Sequence, residues 1–393
     1  MLSVKNPIMT GFFPDPSICR VGNKFYTVHS TFAYFPGVPV FESEDLVHWN
    51  LISNVLDRDS QVPLSGCQHS EGIFAPTIRY HKGTWYMITT NVSDQGNFIV
   101  AAKDPRGPWS EPYYLGESTG GIDPSLFFDD DGTCYYIGQR PRSAGYRYNG
   151  DCEIWIQTLD LDTMQLKPDA TIVLTGFQRK AIWPEGPHLY KKDGYYYILH
   201  AESGTSIHHS VMIARSKNVF GPYEYCPCNP ILTHRHLGAQ YPVTCVGHAD
   251  LVDDGNGNWY MVVLACRPNQ GYTLLGRETF LAKVTWEDGW PVVNAGVGHL
   301  EEVVTLPYEG QPSDDVPQCK TYTFDTPSLP LELLTLRNHR DHELELHAEE
   351  HMVRLFHRCD SLKDCGEPAY LALRQQHWNC EFETSFIPHF CKE

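Results

Sequence analysis

Hydrophobic and polar residues alternate in short bursts along most of this chain, with the period of two that sends successive side chains to opposite faces of a strand. Five times over, a small or acidic residue is followed by a short apolar strand, a polar turn and a strand rich in aromatics. The copies are DPSICRVGNKFYTVHS from Asp15, APTIRYHKGTWYMITT from Ala75, DPSLFFDDDGTCYYIGQ from Asp123, EGPHLYKKDGYYYILH from Glu185 and HADLVDDGNGNWYMVVL from His248. Each reads as a hairpin, because VGNK, HKGT, DDDG, KKDG and DGNGN supply the Gly, Asn and Asp that tight turns need. Further short strands stand between the hairpins, at Gly37–Phe41, Phe98–Ala102, Ile154–Leu159, Val211–Ala214 and Phe280–Val284.

A hairpin with one or two outer strands makes a four-stranded blade, and five blades closing radially protect their sheet edges. The prediction is an all-β chain: a five-bladed β-propeller over 1–306, a linker over 307–320 and a partial β-sandwich over 321–393. A single sandwich with accidental internal similarity is the competing fold, and five matching copies argue against it. In the tail, propensity favours a helix over LELLTLRNHRDHELELHAEE. HELELHA and HMVRLFH nevertheless alternate with period two and read as strands.

Composition narrows the class. The 31 Gly, 28 Pro, 9 Trp, 22 Tyr and 18 Phe describe a turn-rich chain whose aromatics serve as strand formers or as flat surfaces for sugar rings. Thirty Lys and Arg against 48 Asp and Glu leave a net charge of −18. No basic cluster offsets it, which argues against nucleic acid and anionic membrane as partners. The 13 cysteines are odd in number and lack repeated CxxC spacing, with only Cys226 and Cys228 close together, as a reducing compartment tolerates. The start, MLSVKNPIMTGFFPDPS, has no basic-then-apolar leader, and the longest apolar run, Met261–Cys266, is too short for a bilayer. A cytoplasmic protein is expected, with self-association left open.

Aligning the copies puts Asp15, Ala75, Asp123, Glu185 and His248 at equivalent first positions, which a propeller turns into one central funnel. Three carboxylates and a histidine so close are costly unless paired or working. Like charges raise one another's pKa, so one group stays protonated while another ionises, the division glycoside hydrolysis needs. Asp-Pro as a mere strand-starting turn explains either aspartate alone, but not Glu185 in WPEGPHLY.

FPDPSICRVGNKFY, STFAYFPGVPVFESEDLVHW, SEGIFAPTIRYHKGTWYMIT, GIDPSLFFDDDGTCYY, WPEGPHLYKKDGYYY, NPILTHRHLG, GHADLV and GRETFLAKVTWEDGWPVV closely resemble glycoside hydrolase family 43, the β-xylosidases and α-L-arabinofuranosidases. The tail from TFDTPSLPLELLTLRN to LALRQQHW resembles the start of that group's C-terminal β-sandwich, which runs on further in similar enzymes, so the resemblance implies a cut-short domain. It implies an exo-acting, inverting hydrolase that releases terminal L-arabinofuranose, D-xylose or both from xylan-derived oligosaccharides. Asp15 becomes the general base, Glu185 the general acid and Asp123 the group that tunes and orients the acid. An inverting enzyme places base and acid about 6.5–9.5 Å apart, with a water between.

Less specific matches add Arg277 in GRETF, expected to hold Asp123 or a sugar hydroxyl, and His248 in the central channel. Phe32 and Phe74 form the expected sugar platform, with Thr205 of ESGTS beside it. No cofactor is required. The resemblance allows a structural calcium ion near His248, although no acidic loop has EF-hand spacing and Asp129–Gly132 reads as a hairpin turn. The alternatives are a strict β-xylosidase, a non-catalytic carbohydrate-binding propeller, and a retaining fructosidase, whose NDPN-type motif is replaced here by FPDPS.

Overall fold

Each of the five hairpin repeats builds the inner half of one antiparallel sheet. In a computed structural model that describes residues 1–116, 120–311, 319–338 and 344–388, the inner strands are Ser17–Val21, Thr77–His81, Ile122–Phe128, Glu185–Lys192 and Thr244–Asp253. Chain order runs outward in every blade, as in blade 1 through Lys24–Val28 and Gly37–Ser43 to Asn50–Leu56. Blade 3 carries both Gln165–Leu166 and Thr171–Thr175 at its outer edge. Five sheets of four or five strands make the expected five-bladed propeller.

The aromatic second strands are apolar on both faces because each is packed between two neighbouring sheets. In Thr84–Asn91 of blade 2, Trp85 and Met87 join the cluster with Val28, Val40 and Ile78, while Tyr86 and Ile88 turn to Leu126, Tyr136 and Trp155 of blade 3. The DDDG segment is the turn expected of it, with the Gly132 N–H donating to the Asp129 carbonyl at 2.9 Å. Ring closure uses the chain's start: Leu2–Lys5 pairs with Val303–Leu306, and the Asn6 amide exchanges two hydrogen bonds with the Leu281 backbone at 2.8 and 2.9 Å.

Below the funnel the blades are pinned together by Asp250, which is wholly buried. It accepts six hydrogen bonds: from Ser17 Oγ and Ile18 N of blade 1, from both terminal nitrogens of Arg79 of blade 2, from the Tyr190 hydroxyl of blade 4 and from Leu251 N of its own strand. Burial alone would raise the Asp250 pKa, but Arg79, His188 and the Tyr190 hydroxyl outweigh it and hold the carboxyl far below its usual range. Removing one partner of such a pair leaves the other charged and dry, so Asp250→Ala is expected to lower unfolding free energy by about 3–5 kcal/mol. Urea midpoints at neutral pH check this. Because the folded pKa lies below the unfolded value of 3.8, the contribution is complete above that pH and lost as acid is added.

The tail leans on blade 1. Thr335–Leu336 pairs with Tyr34–Phe35, and Leu334 bridges Ala372. Arg337 is fully buried and donates to the carbonyls of Cys67 and Gly366 at 2.7 and 2.6 Å. Leu344–His347 and Met352–Leu355 pair as the period-two pattern predicts, not as a helix. The centre of the expected linker, 312–318, lies outside the described residues. Residues 376–388 contain no regular element, and Phe382, Phe386 and Ile387 are exposed there. No helix among the described residues is long and apolar enough to cross a membrane.

Candidate active site

The inner strands of blades 3, 4 and 5 enter the funnel through β-bulges. Their pairing register shifts between Ile122 and Ser125, between Glu185 and His188, and between Gly247 and Ala249. Inside those bulges Asp123, Gly186 and His248 have φ of 55°, 57° and 50°, and Asp15 of blade 1 has 53°. Left-handed backbone is uncommon away from glycine, and a bulge re-aims its side chain. Asp15, Asp123, Gly186 and His248 are therefore the structural equivalents, and Glu185 stands one residue earlier, opposite Ala201. That corrects the sequence alignment, which put Glu185 at the shared position. Gly186 is needed where it is, since a Cβ there would meet the His248 ring at 2.9 Å.

The funnel brings the three acids close enough for Asp15 to raise the pKa of both Asp123 and Glu185, and for Asp123 to raise that of Glu185. Asp15 is buried and accepts from Ser30 Oγ at 2.7 Å and from the Arg277 guanidinium at 2.9 Å. Burial pushes its pKa up, but Arg277, His248 and Ser30 together outweigh that and hold it below the ordinary value. Asp123 is equally buried and among the described residues accepts only the Gly186 N–H, at 3.2 Å. Burial, with repulsion from Asp15, moves it up to about 6 against the pull of His248. Glu185 is pushed well above its ordinary value, by burial and then by the negative charges of Asp123 and Asp15. One carboxyl is thus biased towards its ionised form and another towards its protonated form within the same funnel.

Arg277 was expected to hold Asp123 or a sugar hydroxyl, but its ion pair is with Asp15. It also lies over the Phe32 ring at 4.9 Å. Phe32 is buried and packs on Phe74 and Phe12, with ring centroids 5.3 and 5.7 Å apart, so the two expected aromatics do form one wall. Thr205 stays apart from this hydrogen-bonded set: it is exposed, in a loop whose Gly204 backs onto Trp183. The carboxylates nearest His248 are already engaged, Asp15 by Arg277 and Ser30 and Asp123 by the Gly186 N–H. Among the described residues no three His, Cys, Asp or Glu side chains are grouped to hold a metal.

Sequence reasoning missed Ser30, His209 and Trp183. His209 is buried, donates from Nδ1 to the Cys245 carbonyl at 3.0 Å, and among the described residues leaves Nε2 without a partner. Burial pulls its pKa down to about 4, so it is neutral beside the carboxylates. No motif signals it, because its role comes from the fold bringing blades 4 and 5 together. Trp183, two residues before Glu185, is partly exposed and lines a cavity of about 470 Å³ with Ile122, Gln139, Tyr146 and Tyr148. A second cavity of about 490 Å³ opens past Phe32 and Arg277. Both are of a size that takes sugar units.

A propeller whose funnel sets three carboxyl groups, two buried and one half-buried, against one another in their tendency to ionise, walled by aromatic rings, defines a glycoside hydrolase. Sequence profiles make the assignment specific. "Glycosyl hydrolases family 43" matches residues 4–291, and "Beta xylosidase C-terminal Concanavalin A-like domain" matches residues 321–388. The chain belongs to glycoside hydrolase family 43. It is 57% identical over 378 residues to a xylosidase/arabinosidase of Butyrivibrio fibrisolvens, covering 96% of this chain and 73% of that protein. It is 40% identical over 398 residues to a non-reducing end alpha-L-arabinofuranosidase of Bacteroides ovatus, covering 98% of this chain and 71% of the relative. The crystal structure of a xylan beta-1,4-xylosidase from Bacillus halodurans C-125 superposes with a TM-score of 0.86 at 38% identity, over 95% of this chain and 72% of that one.

Proposed function

We propose that this chain removes terminal L-arabinofuranose, D-xylose or both from xylan-derived oligosaccharides by a single displacement that inverts the anomeric centre. The observation that carries the reading is the opposed titration of Asp15 and Glu185. Asp15, kept ionised by Arg277 and Ser30, takes a proton from a water as that water attacks the anomeric carbon. Glu185, kept protonated by burial and by its acidic neighbours, gives its proton to the departing glycosidic oxygen. Asp123, anchored by the Gly186 N–H, raises the acid's pKa and holds its orientation. The Phe32 and Phe74 rings present apolar faces to the C–H side of the sugar. The relatives named for xylosidase and arabinosidase activities support the pentose class.

Kinetics on p-nitrophenyl α-L-arabinofuranoside and β-D-xylopyranoside test the substrate, and proton NMR of the first sugar formed tests the stereochemistry. Turnover of at least one pentoside with inverted configuration is expected. Retained configuration in the initial product would overturn the single displacement, since it requires a covalent intermediate on a carboxylate.

A further inference from the structure

The second cavity contains a cation that the proposed hydrolysis does not use. It lies between the rim of blade 1 and the segment around Tyr370–Gln375, and Phe12, Phe32, Tyr34, Arg277, Tyr370 and Arg374 are among its walls. Arg277 is neutralised by Asp15. Arg374 is not neutralised: among the described residues its guanidinium has neither an ion pair nor a hydrogen bond, its Nε is shut off from solvent without a partner, and it lies over the Phe13 ring at 5.1 Å. No aspartate or glutamate lines the cavity. His69, also on its wall, is engaged by the Leu362 carbonyl at 2.8 Å. Burial pulls the Arg374 pKa down only to about 10, so the charge persists at neutral pH.

A largely buried arginine without an anion is unusual, because the cost of desolvating it is ordinarily met by a carboxylate or phosphate. Its planar fork matches a carboxylate bidentately. The surroundings are aromatic, and two tyrosines on the same wall, Tyr34 and Tyr370, are joined through their hydroxyls. Flat apolar faces, a few hydroxyls and one guanidinium suit a sugar ring bearing a carboxylate better than a free inorganic anion. The cavity also shares Phe32 and Arg277 with the proposed pentose site, so one ligand can reach both.

We propose that this cavity is a uronic acid subsite, in which Arg374 pairs with the carboxylate of a uronic acid unit carried on the same glycan as the pentose that is removed. The choice of glycan rests on the functional reading above; the carboxylate site does not.

Calorimetric titration of the full chain with D-glucuronate and with D-glucose reads the site directly, since the two share a ring and differ at the carboxylate. Glucuronate is expected to bind at least ten-fold more tightly to the wild-type protein. The preference disappears in Arg374→Met and survives in part in Arg374→Lys. Equal binding of the two sugars by the wild-type protein, or a preference that persists in Arg374→Met, overturns the proposal. Displacement of glucuronate by an equal concentration of inorganic phosphate would also overturn it, in favour of a free-anion site. If Arg374→Met does not fold, as judged by circular dichroism, the wild-type preference and the Arg374→Lys titration decide. Because binding requires no turnover, absence of pentoside hydrolysis would refute the functional reading and leave this result standing.

Discussion

Asp15→Asn is expected to lower kcat by about 10³–10⁴-fold, near the upper end of what a positioned base contributes, on every pentoside the enzyme turns over. The substituted amide can accept from Arg277 through its oxygen and donate its NH2 to Ser30 Oγ, whose hydroxyl can also accept, so the shape of the side chain and both contacts are retained. What it cannot do is take a proton from water. Because the lost step acts on the nucleophile, the loss should be the same whether the departing group is nitrophenolate or a second sugar. Steady-state rates on both kinds of substrate, with circular dichroism as the fold control, check this. A variant within ten-fold of wild-type kcat would mean that another group activates the water and that the Arg277–Asp15 pair is structural.

The propeller was legible in the sequence because a repeat imposes the same physical demand five times: a turn with Gly, Asn or Asp, then a strand apolar on both faces. The tail hairpin at Leu344–His347 and Met352–Leu355 was legible for a similar reason, its period of two outweighing helix propensity. Hydropathy does not register a bulge, since one inserted residue changes the direction of a side chain without changing its polarity. Glu185 was therefore found as a carboxylate but misplaced by one position relative to Gly186. Partners across the ring were also out of reach. Arg277 is 262 residues from Asp15, and Arg79 is 171 from Asp250, and nothing local in either arginine's sequence says which acid it meets. The same distance in sequence hid His209 and Arg374, whose significance lies in what surrounds them.

Glu185→Gln should separate the two halves of the reaction. The departing oxygen of an oligosaccharide is strongly basic and needs a proton as the bond breaks, so loss of the acid should cost about 10³–10⁴-fold there. Nitrophenolate leaves without much help, so the same variant should lose far less on p-nitrophenyl pentosides. Wild-type kcat/KM should fall on the alkaline side as Glu185 loses its proton, because burial and the charges of Asp123 and Asp15 place that event well above the ordinary glutamate value. In the variant this alkaline limb should vanish, while the acid limb, set by protonation of the Asp15 base, remains. Stability should move in the opposite direction. A carboxyl whose folded pKa exceeds its unfolded value of 4.5 binds more protons folded than unfolded, so it costs stability increasingly as pH rises from that value toward the folded pKa. Glutamine carries no such charge, and Glu185→Gln should therefore melt above wild type at pH 7–8, with the difference closing near pH 4. An equal loss on aryl and sugar leaving groups, together with a melting temperature at or below wild type at neutral pH, would show that Glu185 is neither strained nor the proton donor.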